Sequence, residues 1–463
     1  MRIVMFSINP LFPRHVMGGA PKHLQNIALH LGRLGHEVTV LCTRPRHGDE
    51  APFEWGAGVR VLPVLRFKQP FPQPYEVPAY DLAAAIQDVA DHLAQADRFY
   101  MHDGEFLFPY VYQHIPTVVS LRDNVYPETI LGGFLFQGDA LILISEYSRQ
   151  YYLHTAGRFL PGLSERMHVI YNGLDWERFK PTPPARILDL IPVDPAAQAI
   201  ILHPHRPEES KGIRQTIAVV DLLVHRYNMR HVRALVPRWV GAELETFYGE
   251  VQQEIARRGL ADHFIFHDWV PQELMPEYYS LGRVMLSLGS FPEAFGNAVY
   301  ESLGCGTPVV VARVSTHREI LPEELVDKVD YGDVETAAAL TADIIASGRR
   351  TAPQTLDYLH TRYSIRAQLE GYAQVILNAS RREPLVYRHT PLDGQTRFVL
   401  APWCYPSGRG IYHDFRADYL ADRALLELLR VCPPGFTLAE AEAHGVPRDS
   451  VMEWYRDGYV VPL

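Results

Sequence analysis

Short apolar, β-branched runs alternate with helix-patterned segments along most of this chain, and the alternation stops and restarts once. No other feature constrains the fold as strongly, because strands interleaved with helices assemble as βαβ units around a mainly parallel sheet. In the first half the strand-like runs are 2–7, 37–42, 59–65, 99–102, 117–122, 140–145 and 168–171. Leu24, Ile27, Ala28, Leu31 and Leu34 recur at helical spacing behind Pro21, which suits a first helical turn. Residues 181–197 hold five prolines and little periodicity, and they read as a linker. The pattern then resumes with runs at 199–203, 231–236, 264–267, 284–288 and 308–312. The expectation is an α/β protein with two doubly wound, Rossmann-like domains, 1–180 and 198–363. Ligand is expected in the cleft between them, at the carboxyl ends of the strands. A helix over 364–382 is expected to pack back toward the first domain.

The last stretch, 383–463, has a different texture. It opens loop-rich, and helices are predicted at 417–430, 437–444 and 448–457. The last two flank Gly445-Val446-Pro447, a helix-turn-helix spacing. A small, mostly helical, winged-helix-like accessory domain is expected here. It carries 8 arginines and no lysine against 11 acidic residues, which argues against nucleic acid as a partner. The whole chain points the same way, with a formal net charge of −10 over 463 residues. Hydrophobic residues at 47% exclude a mainly disordered chain. Cys42, Cys305, Cys404 and Cys432 show no C-x-x-C spacing, so neither a disulfide scaffold nor a zinc ribbon is expected. The N-terminus lacks the shape of a signal peptide and no run reaches ~18 apolar residues, so the expectation is a cytoplasmic protein. No basic amphipathic helix emerges to hold it on a membrane surface.

Three segments carry chemistry. In the first, Ser290-Phe-Pro-Glu293-Ala-Phe-Gly-Asn297 leads into a helix holding Glu301. A helix N-terminus offers free N–H groups to an anion, and carboxylates beside it suit sugar or ribose hydroxyls. A capped helix with two solvated glutamates is the bland alternative. In the second, His203-Pro-His-Arg206-Pro-Glu-Glu-Ser-Lys211-Gly212 follows the first strand of the second domain. Its arginine fork and lysine point charge can reach one diphosphate, though the same charges also suit a plain surface loop. The third is Met17-Gly18-Gly19-Ala20-Pro21-Lys22, whose paired glycines permit close backbone approach. It is not a dinucleotide fingerprint. His203 and His205 share a strand face and could ligate an ion, but the only nearby third ligand is Glu208 or Glu209, and no metal is expected.

Together these segments resemble retaining glycosyltransferase family 4, of the GT-B fold. The carrying residues are Gly18-Gly19, Gly35-His-Glu-Val38, Tyr171-Asn-Gly-Leu-Asp175 with Phe179, Arg206 with Lys211-Gly212, and Glu293-x7-Glu301 with Cys305-Gly-Thr-Pro308. They stand in the family's order over about residues 1–380. The resemblance implies a UDP- or GDP-linked sugar as co-substrate, without metal or tightly held cofactor. It implies that Arg206 and Lys211 neutralise the diphosphate leaving group and that Glu301 holds the ribose. Glu293 would meet sugar hydroxyls, and Phe295, Gly296 and Asn297 would offer backbone N–H groups. Gly18 and Gly19 would approach the diphosphate from the first domain. The sugar would keep its anomeric configuration.

Two departures from the family pattern stand out. Where many members place a histidine, this chain has Arg122 followed by Asp123; His102, one strand earlier, is the candidate for that histidine's role, and Asp123 is expected with it among the catalytic residues. The usual glycine before the phosphate-motif arginine is His205. A proline- and aromatic-rich segment, 66–80, with Phe106, Phe108, Tyr110, Tyr112 and Tyr126, offers either an acceptor surface or core packing. The acceptor is open: a small molecule, natural product, lipid-linked sugar or peptide. Alternative readings are a non-catalytic nucleotide-sugar-binding scaffold, or a GT-B epimerase or hydrolase. Residues 383–463 are expected to serve either acceptor recognition or dimerisation.

Overall fold

The computed structural model describes residues 1–14, 18–45, 51–68, 73–238 and 245–463. The chain divides into two units. Unit 1 comprises Met1–Tyr171, Arg366–Cys404 and Asp422–Leu463, and unit 2 comprises Asn172–Ile365 and Tyr405–Ala421.

Unit 1 is built on an eight-stranded sheet of β1 (Arg2–Pro10), β2 (Glu37–Thr43), β3 (Phe53–Gly56), β4 (Val59–Leu65), β5 (Arg98–His102), β6 (Thr117–Leu121), β7 (Ala140–Leu143) and β8 (Met167–Val169). The order is β3-β4-β2-β1-β5-β6-β7-β8. All neighbours run parallel except the short edge strand β3, which lies antiparallel to β4. The central strands are apolar along their whole length because both faces are covered. Val4, Phe6, Met101 and Leu141 face one core, and Ile3, Met5, Val118 and Ile142 face the other. The helix Gly19–Arg33 and the helix Ile365–Asn378 pack on the second face through Leu24, Ile27, Leu31, Tyr372 and Ile376.

Unit 2 holds a fully parallel six-stranded sheet of β9 (Ala199–Leu202), β10 (Val232–Pro237), β11 (Phe264–His267), β12 (Val284–Ser287), β13 (Val309–Ala312) and β14 (Asp327–Val329). Its order, β11-β10-β9-β12-β13-β14, is the doubly wound Rossmann order, with the reversal of winding between β9 and β12. In unit 1 the corresponding reversal lies between β1 and β5.

The proline-rich stretch does not behave as a free linker, because it packs on unit 2. Arg186 and Ile187 donate their backbone N–H groups to Glu277 at 2.8 and 3.1 Å, the Arg186 guanidinium pairs with the same carboxylate at 2.8 Å, and Ile187 is buried. The chain changes unit earlier, after Tyr171. There Leu174 bridges Ser364 in parallel, and a side chain on Gly173 would run into the Ser364 carbonyl oxygen.

Residues 383–463 are divided between the units. The tail contributes β15 (Arg397–Leu400), β16 (Cys404–Ser407), β17 (Gly410–His413), β18 (Asp418–Leu420), β19 (Phe436–Thr437) and β20 (Val460–Pro462). The sheet β19-β15-β20 belongs to unit 1 together with helices Arg423–Val431, Leu438–Ala443 and Arg448–Arg456. Residues 405–421, which carry most of the sheet β16-β17-β18, belong to unit 2. The predicted helix at 417–430 is therefore two elements. Asp418–Leu420 pairs with β17, and the helix starts at Arg423, where the Asp422 carboxylate accepts the N–H groups of Ala424 and Leu425 at 2.9 and 3.0 Å. Among the described residues no helix is long and apolar enough to cross a membrane.

Candidate active site

In an open α/β sheet the ligand-binding loops leave the carboxyl ends of strands at the reversal point. In unit 2 those are the loops after β9 and β12, which hold Arg206 with Lys211 and Glu293 with Asn297. The first loop ends in a single 3-10 turn, Glu209–Lys211, and Gly212, at φ +83°, opens the helix Ile213–His225. Two glycines let the loops touch: a Cβ on Gly212 would stand 2.5 Å from the Gly289 nitrogen. Ser290 and Phe291 then donate their N–H groups to the Ser210 carbonyl at 2.9 and 3.0 Å. This join brings the Lys211 Nζ to 2.7 Å from Glu293 Oε1 and 3.6 Å from the centre of the Phe291 ring. The two side chains are 14% and 27% exposed, shielded enough to strengthen their electrostatics and open enough to meet a ligand. Arg206 is more exposed and pairs with Glu208 at 3.1 Å.

Histidines line this cation without adding charge. Burial pushes His205 down to about 3, and the charge of Lys211 pushes the same way. Burial also lowers His317, to about 4, although Glu293 pulls it back up. His203 is fully buried, with Nδ1 3.0 Å from the Thr216 hydroxyl. Among the described residues no group of three or more His, Cys, Asp or Glu side chains is placed to hold a metal ion.

The second loop ends at Gly296, φ +82°, which opens the helix Asn297–Gly304 with no side-chain cap. Its first N–H groups are therefore not taken by a capping side chain, and the helix end carries partial positive charge. Asn297 Oδ1 accepts a hydrogen bond from the Asn172 amide at 3.1 Å. Phe295 turns its ring inward, stacked on Tyr300 at 4.5 Å, so it offers backbone rather than side chain. One turn into the helix, Glu301 accepts the Tyr279 hydroxyl at 2.8 Å. Burial raises its pKa, against which the Tyr279 bond and the charge of Arg178 act.

Unit 1 places Gly18 and His102 at its own reversal point, and Arg122 and Asp123 one strand further, after β6. Gly18, φ +92°, precedes the helix Gly19–Arg33, again without a side-chain cap, while Met17 lies outside the described residues. His102 ends β5 with both ring nitrogens engaged: Nδ1 is 2.6 Å from the Tyr100 hydroxyl and Nε2 is 3.0 Å from the Ala20 carbonyl. Burial, and then the charge of Arg122, hold it neutral. It braces the start of the glycine-led helix rather than standing ready as an acid or base. Arg122 donates to the Tyr372 hydroxyl at 3.0 Å. Asp123 Oδ1 accepts Val125 N–H, Tyr126 N–H and the Thr129 hydroxyl at 2.7, 2.8 and 2.7 Å, so it ties down the turn that leads into the following helix, Pro127–Phe134. Burial pushes neighbouring Asp103 up to about 7, helped by the charge of Asp123. Of the aromatic candidates, Phe106 and Tyr112 are core residues and Tyr110 is exposed. Residues 69–72 of the proline-rich segment lie outside the described residues.

Sequence reasoning missed three contributors to the unit 2 site and picked out a fourth, Asn172, only as part of a motif. Tyr279 and Asn172 fix Glu301 and Asn297. Ser315 donates its hydroxyl to the Glu293 carbonyl at 2.9 Å, and the ring of His317 abuts Gly296. The last two follow β13, and a search of every loop leaving a parallel strand's carboxyl end would have flagged them.

Comparison with known proteins agrees with this geometry. Residues 17–178 match the family model Glycosyltransferase Family 4, and residues 192–347 match the model Glycosyl transferases group 1. One relative is the GDP-mannose-dependent alpha-(1-6)-phosphatidylinositol monomannoside mannosyltransferase of Mycolicibacterium smegmatis, 26% identical over 46% of this chain and 55% of that protein. Another is a D-inositol 3-phosphate glycosyltransferase of Catenulispora acidiphila, 29% identical over 38% of this chain and 42% of that protein. The matches thus span about half the length of these relatives. Among solved structures, sucrose-phosphate synthase from Thermosynechococcus elongatus superposes with a TM-score of 0.65 at 17% identity, covering 81% of this chain and 98% of that one. Anabaena HepE in complex with UDP and glucose gives 0.62 at 21% identity, covering 81% and 99%. With both family models matched in order and the two sheets in place, the chain belongs to the family 4-like glycosyltransferases of the GT-B fold.

Proposed function

We propose that this chain is a retaining glycosyltransferase that moves a hexosyl unit from a UDP- or GDP-linked sugar to a small-molecule, natural-product, lipid-linked or peptide acceptor. The observation that carries the reading is the shielded Lys211–Glu293 pair at the unit 2 reversal point, beside the uncapped helix at Gly296–Asn297. A nucleoside diphosphate needs a cation for its β-phosphate, N–H donors for its oxygens and a carboxylate for its ribose. Lys211 with Arg206, the helix start and Glu301 are one set of each. Tyr279 takes one Glu301 oxygen and leaves the other to accept ribose hydroxyls. Glu293 releases Lys211 to the phosphate and turns to the sugar hydroxyls. In the reaction the bond from the anomeric carbon to the β-phosphate oxygen breaks. The acceptor oxygen bonds to that carbon on the same face, and its proton passes to the departing phosphate. Lys211 and Arg206 then act where negative charge grows, which is where a fixed cation lowers a barrier most. His102 and Asp123 are assigned a positioning role, since their polar atoms are already committed. No metal or further cofactor is invoked.

The test is thermal stabilisation by a panel of UDP-, GDP-, ADP- and dTDP-linked sugars. A ligand at ~100 times its Kd stabilises by about 2.7 kcal/mol. One base series is expected to shift the wild type and to lose that shift in Lys211→Ala. A panel that shifts nothing, or an undiminished shift in the variant, overturns the reading.

A further inference from the structure

The donor loop rests on a residue from the far end of the chain. The Asp414 carboxylate lies just after β17, with its side chain 0% exposed. Oδ1 accepts the Ser315 N–H at 3.0 Å and Arg318 Nη1 at 2.7 Å, and Oδ2 accepts Arg318 Nη2 at 2.6 Å. A bidentate arginine pair closed off from water fixes direction as well as distance. What it fixes is the turn Ser315–Arg318. Within that turn Ser315 takes φ +47°, a left-handed conformation unusual for a serine. So held, Ser315 donates its hydroxyl to the Glu293 carbonyl at 2.9 Å, and Thr316 donates its own to the Phe295 carbonyl at 3.4 Å. His317 stands so close to Gly296 that a Cβ there would lie 2.5 Å from its Nε2, a buried nitrogen without a partner. One turn thus touches three successive parts of the segment 293–296, and one carboxylate sets the turn.

We propose that Asp414 is a positioning residue for the nucleotide-sugar site, acting through Ser315 to set the Glu293 loop, and that residues 405–421 are a working part of unit 2. This rests on the donor reading of Glu293 given above. It also gives the tail a task in the donor half of the reaction, whatever its remaining helices do.

A test through Asp414 alone would risk unfolding, because Arg318 would lose the buried carboxylate that balances its charge. Ser315→Gly avoids this: glycine accepts φ +47° without strain, and the hydroxymethyl group is lost while the Arg318–Asp414 pair stays. For Ser315→Gly a Tm within a few degrees of wild type is expected, with KM for the nucleotide-sugar raised about tenfold and KM for the acceptor unchanged. For Asp414→Asn the same split is expected, with a lower Tm. In the double variant Arg318→Leu/Asp414→Leu the Tm is expected to recover toward wild type while the donor KM stays high, which a merely structural role would not produce. Hydrogen exchange supplies a readout that needs no ligand. Peptides covering 290–297 are expected to exchange about tenfold faster in Asp414→Asn and Ser315→Gly, with peptides from the helix Val334–Ser347 unchanged. Unchanged exchange over 290–297 overturns the proposal, as does faster exchange with an unaltered donor KM. If wild type binds no nucleotide-sugar, the donor reading fails by itself, and the exchange result still decides whether Asp414 sets the loop.

Discussion

Replacing Gly212 by alanine probes the join that brings Lys211 to Glu293. Two costs can be separated. At φ +83° an L-residue pays roughly 1–2 kcal/mol for its left-handed backbone. The new Cβ would also stand 2.5 Å from the Gly289 nitrogen and 2.7 Å from the Leu288 carbonyl carbon. These are backbone atoms of a neighbouring loop, so relief requires moving one loop away from the other, at about 1–3 kcal/mol for overpacking. The sum is about 2–5 kcal/mol, or a Tm drop of roughly 5–15 °C for a unit of about 200 residues. Gly348→Ala is the internal control: φ is +66° and nothing lies within 4 Å, so only the first cost applies. Chemical denaturation of both variants gives the difference directly. Turnover gives the second readout, because parting the loops lengthens the 2.7 Å Lys211–Glu293 contact, and kcat is expected to fall at least tenfold in Gly212→Ala alone. Equal stability losses in the two variants, or full turnover in Gly212→Ala, would refute the reasoning.

Lys211→Ala and Arg206→Ala are each expected to lower kcat by roughly a hundredfold or more through lost leaving-group stabilisation, measured as initial rates with saturating donor. Tyr279→Phe removes the hydroxyl that orients Glu301 and is expected to raise the donor KM about three- to tenfold with little change in kcat. Burial pushes Glu105 in unit 1 up to about 8, so the native state holds a proton there that the unfolded chain gives up near its ordinary carboxylate value. Its folded pKa is the higher one, so its contribution to stability is most favourable below about 4.5 and declines as pH rises toward 8. Glu105→Gln is expected to flatten that decline, gaining a few kcal/mol over wild type by pH 8 in denaturant titrations across pH 5–9.

Legibility in the sequence followed the physics of burial. Parallel strands covered on both faces are apolar throughout, so 2–7, 37–42, 199–203 and 284–288 stood out and fall on β1, β2, β9 and β12. Strand β3 did not stand out, because it is a four-residue edge with alternate residues exposed, nor did β14, three residues that include Asp327 and Lys328. The 417–430 helix was drawn too long because the alternation in Asp418–Leu420 is too short to register. Asp422 was the usable start sign, an N-capping residue inside an assumed helix. At the site, Arg206, Lys211, Glu293 and Glu301 were legible because glycines and loop breaks frame them within short motifs. Asp414 left no such trace. Its partners lie 96 and 99 residues earlier, and its neighbours Tyr412, His413 and Phe415 read as ordinary strand and turn.

The four passages of the chain between its units, after Tyr171, Ile365, Cys404 and Ala421, bear on how the protein is made. Arg318 leaves the ribosome 96 residues ahead of Asp414, an interval of about 5–20 s at ordinary elongation rates. During that time the six strands of unit 2 can pair, while the guanidinium destined for the bidentate contact still lacks its carboxylate. The turn beneath the Glu293 loop takes its final form only when Asp414 arrives. Nascent chains short of that point carry every residue of the sequence motifs and still lack the carboxylate that orients them.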